Sequence, residues 1–230
     1  MSDLLADQYA RLLDSLPAGD PWAALEASGY LDLLKDEASG GAGLPLEDLF
    51  PIALETGRRA GAPPVLEAMG ERLGFPVSRP LAALFAAGQM VGAMQEVQAL
   101  TIDYAVTRKQ FGREIGRFQA VQHQIAVMSE ETIAARMAAQ AAFVGRPSEL
   151  SEQRAAVAKL RCGQAAGRVC AIAHAVHGAI GVSEEHTLHR HTRRLRAWQL
   201  SHGGEAWWAE RLGDWALSQT EDFTSLARAL

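Results

Sequence analysis

The densest group of residues able to do chemistry in this chain is Arg108-Lys109-Gln110-Phe111-Gly112. Two adjacent cations there suit a helix C-terminus, where the dipole favours positive charge. Gly112 offers the left-handed residue on which a helix can end, and Phe111 offers a ring to plug the turn. His186, His189 and His191 raise the question of a metal, but their spacing does not bring all three onto one helix face. A polar or interface face is the expectation, with no metal. Ser39 to Pro45 is a glycine loop ahead of a helix; no strand precedes it and no Gly-Lys-Ser/Thr follows, so it reads as a connector. Cys162 and Cys170 sit on one helical stretch, roughly 12 Å apart along its axis, too far to bridge. No Ser/His/Asp order or Cys/His pair supports nucleophilic catalysis.

The elements that position these residues follow from periodicity. Met90, Met94, Val97, Thr101 and Tyr104 recur at three- and four-residue steps, and Phe118, Val121, Ile125 and Met128 repeat the pattern. The plain reading is a helical hairpin with residues 108–112 at its bend. Upstream, residues 3–16 are amphipathic, Pro17 to Pro21 breaks them, and Trp22–Leu34 and Leu46–Arg59 read as helices. Residues 60–80 read as a connector. Downstream, Gly145 to Ser148 ends the second long helix, and Ser148 or Ser151 caps a third running to about His177. His186–Trp198 is helical and rich in arginine, residues 200–204 form a loop, and Glu205–Leu217 is a last helix carrying Trp207, Trp208 and Trp215. No alternating β-branched strand is found. The fold class is all-α: a short helical N-terminal region, 1–80, then an up-and-down helical bundle, 81–230.

Tyr104, Arg108, Gln110, Phe111 and Gly112, followed by Phe118-Gln119 and Gln122-His123, resemble the acyl-CoA dehydrogenase family. They match the first two helices of its C-terminal domain, whose pattern is Y-x-x-x-R-x-x-F-G and then F-Q-x-x-Q. His177-Gly178-Ala179-Ile180-Gly181 resembles the family's H-G-G-x-G turn, with Ala179 in place of the second glycine. The resemblance implies that Arg108, Gln110, Phe111, Gln119 and Gly178 contact FAD. It also implies that the FAD is bound mainly by a neighbouring subunit. A guanidinium can grip phosphate oxygens bidentately, and an aromatic ring can pack on a flavin's apolar parts. Trp22 to Arg58 resembles the family's N-terminal helical domain more loosely. The middle β-domain of about a hundred residues, which the family places after it, has no counterpart.

Family members remove the proton α to a thioester carbonyl with a carboxylate, usually in a loop with the pattern Y-E-G-T. Here that loop reads Ser201-His202-Gly203-Gly204, so His202 stands where the glutamate belongs. The alternative position, on the domain's first helix, aligns near Ala82. His202, which can titrate near neutrality, and Glu205, three residues on, are the candidate proton-transfer groups. A site that has lost its base is the reading preferred over either of them. The resemblance therefore implies a subunit that completes the FAD site of a full-length acyl-CoA dehydrogenase, or associates with itself. An acyl-CoA would be the substrate. A structural homologue and a flavin-free acyl-CoA enzyme remain open.

Composition narrows the classes. With 230 residues, 48% hydrophobic and 21% charged, the chain can bury a proper core. A net charge of −5 gives no electrostatic case for nucleic acid or an anionic membrane. The N-terminus is acidic and amphipathic rather than a basic leader, and no run approaches ~20 apolar residues. A cytoplasmic setting is the expectation.

Overall fold

A computed structural model of the chain describes residues 2–17, 19–219, 222 and 224–226. The central element is α5, Arg79–Thr107, whose 29 residues make a rod about 44 Å long. Ser78 caps it by accepting from the Leu81 N–H at 3.3 Å, and Pro80 occupies its first turn. Its first half is apolar nearly all round, as a helix covered on several sides must be. The other elements pack on or beside it: α1 (Ser2–Ser15), α2 (Trp22–Ser28), α3 (Leu46–Arg58) and α4 (Val65–Glu71) precede it. The strands β1 (Lys109–Gln110) and β2 (Arg113–Glu114) then lead to α6 (Gln119–Ala142), α7 (Glu152–His177), α8 (Leu188–Leu200) and α9 (Glu205–Ser218).

Glycines let α3 lie directly on α5. A Cβ at Gly92 would sit 2.0 Å from the Leu54 carbonyl, and one at Gly57 would sit 2.0 Å from that of Gln89. Across the bundle, α6 and α7 meet through small side chains, with Ala135, Ala139 and Ala142 facing a helix that buries Ala155, Ala158, Cys162 and Ala166. Cys162 and Cys170 are both free and buried, and burial pushes the thiols up to about 12 and about 11. One hydrophobic core runs from Tyr9 to Leu195, joining the N-terminal helices to the bundle. Polar ties reinforce the junction: Tyr9 Oη lies 2.8 Å from Thr56 Oγ1, and Arg59 grips Asp14 at 2.7 Å.

The all-α class holds, with local departures. Trp22–Leu34 is not one helix, because Gly29 turns left-handed (φ 76°) after Ser28 and a 3₁₀ turn, Tyr30–Asp32, follows. The stretch 60–80 is not only a connector. It holds α4, anchored by buried Val65, Leu66 and Met69. Of the two candidate caps for α7, Ser151 serves, accepting from the Arg154 N–H at 3.4 Å. The stretch Glu152–Val182 is long and apolar enough to cross a membrane by composition, but α7 buries its apolar side against α5, α6, α8 and α9.

The glycine contacts give a signed expectation. Gly→Ala inside a helix ordinarily stabilises by about 1 kcal/mol. Gly213→Ala on α9, with open space around it, should follow that rule. Gly92→Ala should instead destabilise by about 1–3 kcal/mol, because the backbones must separate. Chemical denaturation of both variants measures the difference.

Candidate functional site

The chemistry-bearing residues gather at two ends of the molecule. At the first, α5 stops on Arg108, whose N–H donates to the Tyr104 carbonyl at 2.9 Å. Its own carbonyl accepts from the Ile115 N–H at 2.8 Å. Lys109 pairs with Glu114 and Gln110 with Arg113, so a tight antiparallel hairpin replaces the expected helix end. Phe111 (φ 51°) and Gly112 (φ 80°) form its two-residue turn, both left-handed as a type I′ turn requires.

Phe111 does not plug this turn: it is 90% exposed and meets Phe118 edge-on at 6.1 Å. Phe118 fills that role, packed with Ala105, Ile115, Val121 and Val176, while Arg113 covers its ring at 4.2 Å. Arg108, Gln110 and Gln119 are also exposed, and among the described residues the Arg108 side chain has no partner. Gly178 closes α7 at the same end, exposed and left-handed (φ 66°). All five cofactor candidates therefore share one end and face outward.

Behind them lies a ring stack that the spacing did not reveal. Tyr104 stacks on His177 at 4.5 Å, and His186 meets His177 edge-on at 4.8 Å. His177 Nδ1 lies 2.8 Å from the Ala173 carbonyl. Burial holds its imidazole below the usual range. The stack ties the ends of α5 and α7 to the approach to α8, which fixes Arg108 and Gly178 relative to each other. The other two histidines of that trio point their chemistry elsewhere. His189 Nδ1 lies 2.7 Å from the His186 carbonyl, and buried His191 is pushed down to about 4 by desolvation. Among the described residues no group of three His, Cys, Asp or Glu has metal-binding geometry.

The second end is the loop between α8 and α9. His202 holds a left-handed backbone (φ 56°), unusual for a non-glycine, and Gly203 (φ 104°) lies against Trp207 and Trp208. Beneath them, Lys159 of α7 is 1% exposed and donates to the carbonyls of Gln199 and Gly203, each at 3.0 Å. His202 itself is exposed at the surface. Partial desolvation, with Lys159 and Arg79 nearby, holds its pKa below the ordinary value, against an upward pull from Glu67. Glu205 starts α9 and turns away from His202. Its Oε1 accepts from Gln199 Nε2 at 2.5 Å, and that amide also donates to the Gly163 carbonyl. It borders an open polar cleft with Arg161 and Arg168, which hold the Glu131 carboxyl below the usual range despite its burial. The structure thus does not bring His202 and Glu205 together as an acid–base pair.

Glu67 of α4, absent from the sequence-based candidates, also stands near His202. Its Oε1 accepts from the fully buried Gln89 at 3.2 Å, while its Oε2 and Gln89 Oε1 are enclosed without partners. The two ends are far apart. From Lys159 to His177 along α7 is about 27 Å. One copy of this chain cannot close both halves around one small molecule.

The buried lysine gives a pH dependence. Burial pushes Lys159 down from 10.5 to about 8, with Cys162 and Glu205 opposing the shift. Between those values the unfolded chain binds the proton that the native chain has released, so native stability rises with pH. The stability of wild type relative to Lys159→Met should therefore grow from pH 8 to pH 10, by up to about 3 kcal/mol. Urea denaturation of both proteins across that range measures it.

Comparison with known proteins identifies the family and the fold. The family model "Acyl-CoA dehydrogenase, C-terminal domain" matches residues 75–216. Acyl-CoA dehydrogenase IpdE2 of Mycobacterium tuberculosis is 35% identical over 114 residues, 49% of this chain and 34% of that protein. A 3-sulfinopropanoyl-CoA desulfinase of Paraburkholderia xenovorans is 37% identical over 118 residues, 51% of this chain and 30% of that protein. The match thus spans about a third of these curated relatives' length. A chain of the ChsE4–ChsE5 complex from Mycobacterium tuberculosis superposes with a TM-score of 0.80 at 16% identity, covering 96% of this chain and 98% of that one. That likeness speaks for the fold, over nearly the whole length. The matched range covers the helices on either side of the hairpin and of the Gly178 turn, and the chain belongs to the acyl-CoA dehydrogenase family.

Proposed function

We propose that this chain is a subunit of an acyl-CoA dehydrogenase assembly that completes the FAD site of a full-length partner. The observation that carries the reading is the outward face at the hairpin end. Arg108 presents an unpaired guanidinium beside the Gly178 turn, on a stack of rings that holds both in place. A cation with unused donors fits a pyrophosphate, and exposed Phe111 fits an aromatic or apolar surface. These residues form an open face rather than an enclosing pocket, which suits a dinucleotide held chiefly by another chain. FAD, when bound, accepts the hydride lost from the acyl β-carbon.

In this reading Arg108 binds and orients the phosphates, Gln110 and Gln119 offer amide contacts, and the Gly178 turn allows close backbone approach. The α-proton is taken by the partner's carboxylate, since the loop at 201–204 offers no acid and Glu205 faces α7. A second reading has its own support in the second end. The loop holding His202 is strained and fixed from below by a buried lysine, and one relative is a desulfinase rather than a dehydrogenase. There His202 would move a proton on an acyl-CoA without flavin.

Tagged co-purification from the native host, with a flavin spectrum, separates these readings. A stoichiometric acyl-CoA dehydrogenase-like chain with bound flavin is expected. Arg108→Ala should then weaken flavin retention roughly 10- to 100-fold, about the loss of one or two charged hydrogen bonds, with the helical content unchanged. A colourless homo-oligomer overturns the first reading, and acyl-CoA turnover abolished by His202→Ala would support the second.

A further inference from the structure

Three rings close the hairpin end, and hydrogen bonds fix the protonation that one of them needs. Tyr104 of α5 stacks on His177 of α7 at 4.5 Å, with 21° between the planes. His186, from the segment between α7 and α8, meets His177 edge-on at 4.8 Å and Tyr104 at 6.3 Å. Its Nδ1 accepts from the N–H of Leu188, the first residue of α8, at 3.1 Å. A ring nitrogen that accepts carries no proton, so this bond requires a neutral imidazole. It satisfies one of the donors that a helix start leaves open. His177 donates through Nδ1 to the Ala173 carbonyl at 2.8 Å. Gly181 lets the segment press onto α7: a Cβ there would lie 2.9 Å from that of His177 and 3.1 Å from Leu188 Cδ2.

The surroundings oppose a proton here. His177 is buried, and burial holds its imidazole below the ordinary 6.5. His186 and His174 push the same way, while the carbonyls of Ala173 and Leu100 oppose them. Among the described residues no carboxylate pairs with either ring; Asp103 on α5 and Glu184 and Glu185 beside His186 are exposed. We propose that Tyr104, His177 and His186 form an acid-sensitive clasp. Neutral rings hold the end of α5, the end of α7 and the start of α8 together, and a proton taken up by the histidine pair releases them. On His186 the proton removes the acceptor for Leu188; on His177 it places a buried charge against a second imidazole. Tyr104 shares a small core with Ala105, Ile115 and Val176, and the Ile115 N–H holds the Arg108 carbonyl at 2.8 Å. Loosening therefore passes to the hairpin. The clasp needs neither cofactor nor partner chain. Its open form binds a proton that the closed form excludes, so opening rises as pH falls below 6.5, by about tenfold per pH unit for each proton.

Amide hydrogen exchange of the full chain at about pH 7.5 and about pH 5.5 tests this, read as protection factors so that the intrinsic rate divides out. Protection of the Leu188 and Ile115 amides should fall about tenfold at the lower pH. His177→Gln/His186→Asn keeps a donor for the Ala173 carbonyl and an acceptor for the Leu188 N–H but has no ring to titrate. It should hold its protection at both pH values. If that double variant is already open at about pH 7.5, His186→Asn alone decides, and its fall should be shallower than that of wild type. Wild-type protection that ignores pH overturns the proposal. So does a double variant, or in its place His186→Asn, that falls as steeply as wild type.

Discussion

Where α3 crosses α5, backbone touches backbone at Gly57 and Gly92, with no room for a Cβ on either glycine. That contact seats the N-terminal helices on the long central rod, and the rod sets every distance that matters for chemistry. Because α5 is about 44 Å long, the hairpin at its C-terminus and the loop near its N-terminus stay apart. Helix α7 runs beside it and carries the turn at Gly178 to one end and Lys159 to the other. Rigidity here keeps the two candidate regions apart.

The two ends differ in how they are made. The hairpin end is a display: a tight turn and a stack of Tyr104, His177 and His186 hold Arg108 and Gly178 while their functional groups face water. The loop end is buried underneath and strained on top, with Lys159 paired to carbonyls and His202 held in a left-handed backbone. In the proposed reading, an outward-facing guanidinium does its work only when another surface arrives, and the assembly rather than the single chain is the unit of chemistry.

Much of this was legible in the residues. The stripes over 90–128 are long enough for period 3.6 to separate helix from strand, and Tyr104 to Gln119 carries an ordered pattern. What escaped has physical reasons. Strands of two residues cannot show alternation, so the hairpin read as a helix end and Phe111 as its plug, a role that Phe118 fills. Helix α4 is seven residues long, between a Pro-Pro pair and Gly74, too short for periodicity to register. Glu67 and Gln89 meet across 22 residues and two helices, and no spacing rule links them. His202 and Glu205 are three apart in sequence, yet the start of α9 turns the carboxylate onto Gln199 and α7.

The central claim is that the hairpin face meets another chain's cofactor. It is tested most directly by placing a photo-cross-linking amino acid at position 111, the 90% exposed tip of the turn, within the assembly isolated from its host. Irradiation should join this chain to the flavin-bearing partner or to the flavin itself, and the same probe at exposed Leu217 on α9 should not. A position-111 probe that finds only solvent, while the assembly still carries flavin, would contradict the account.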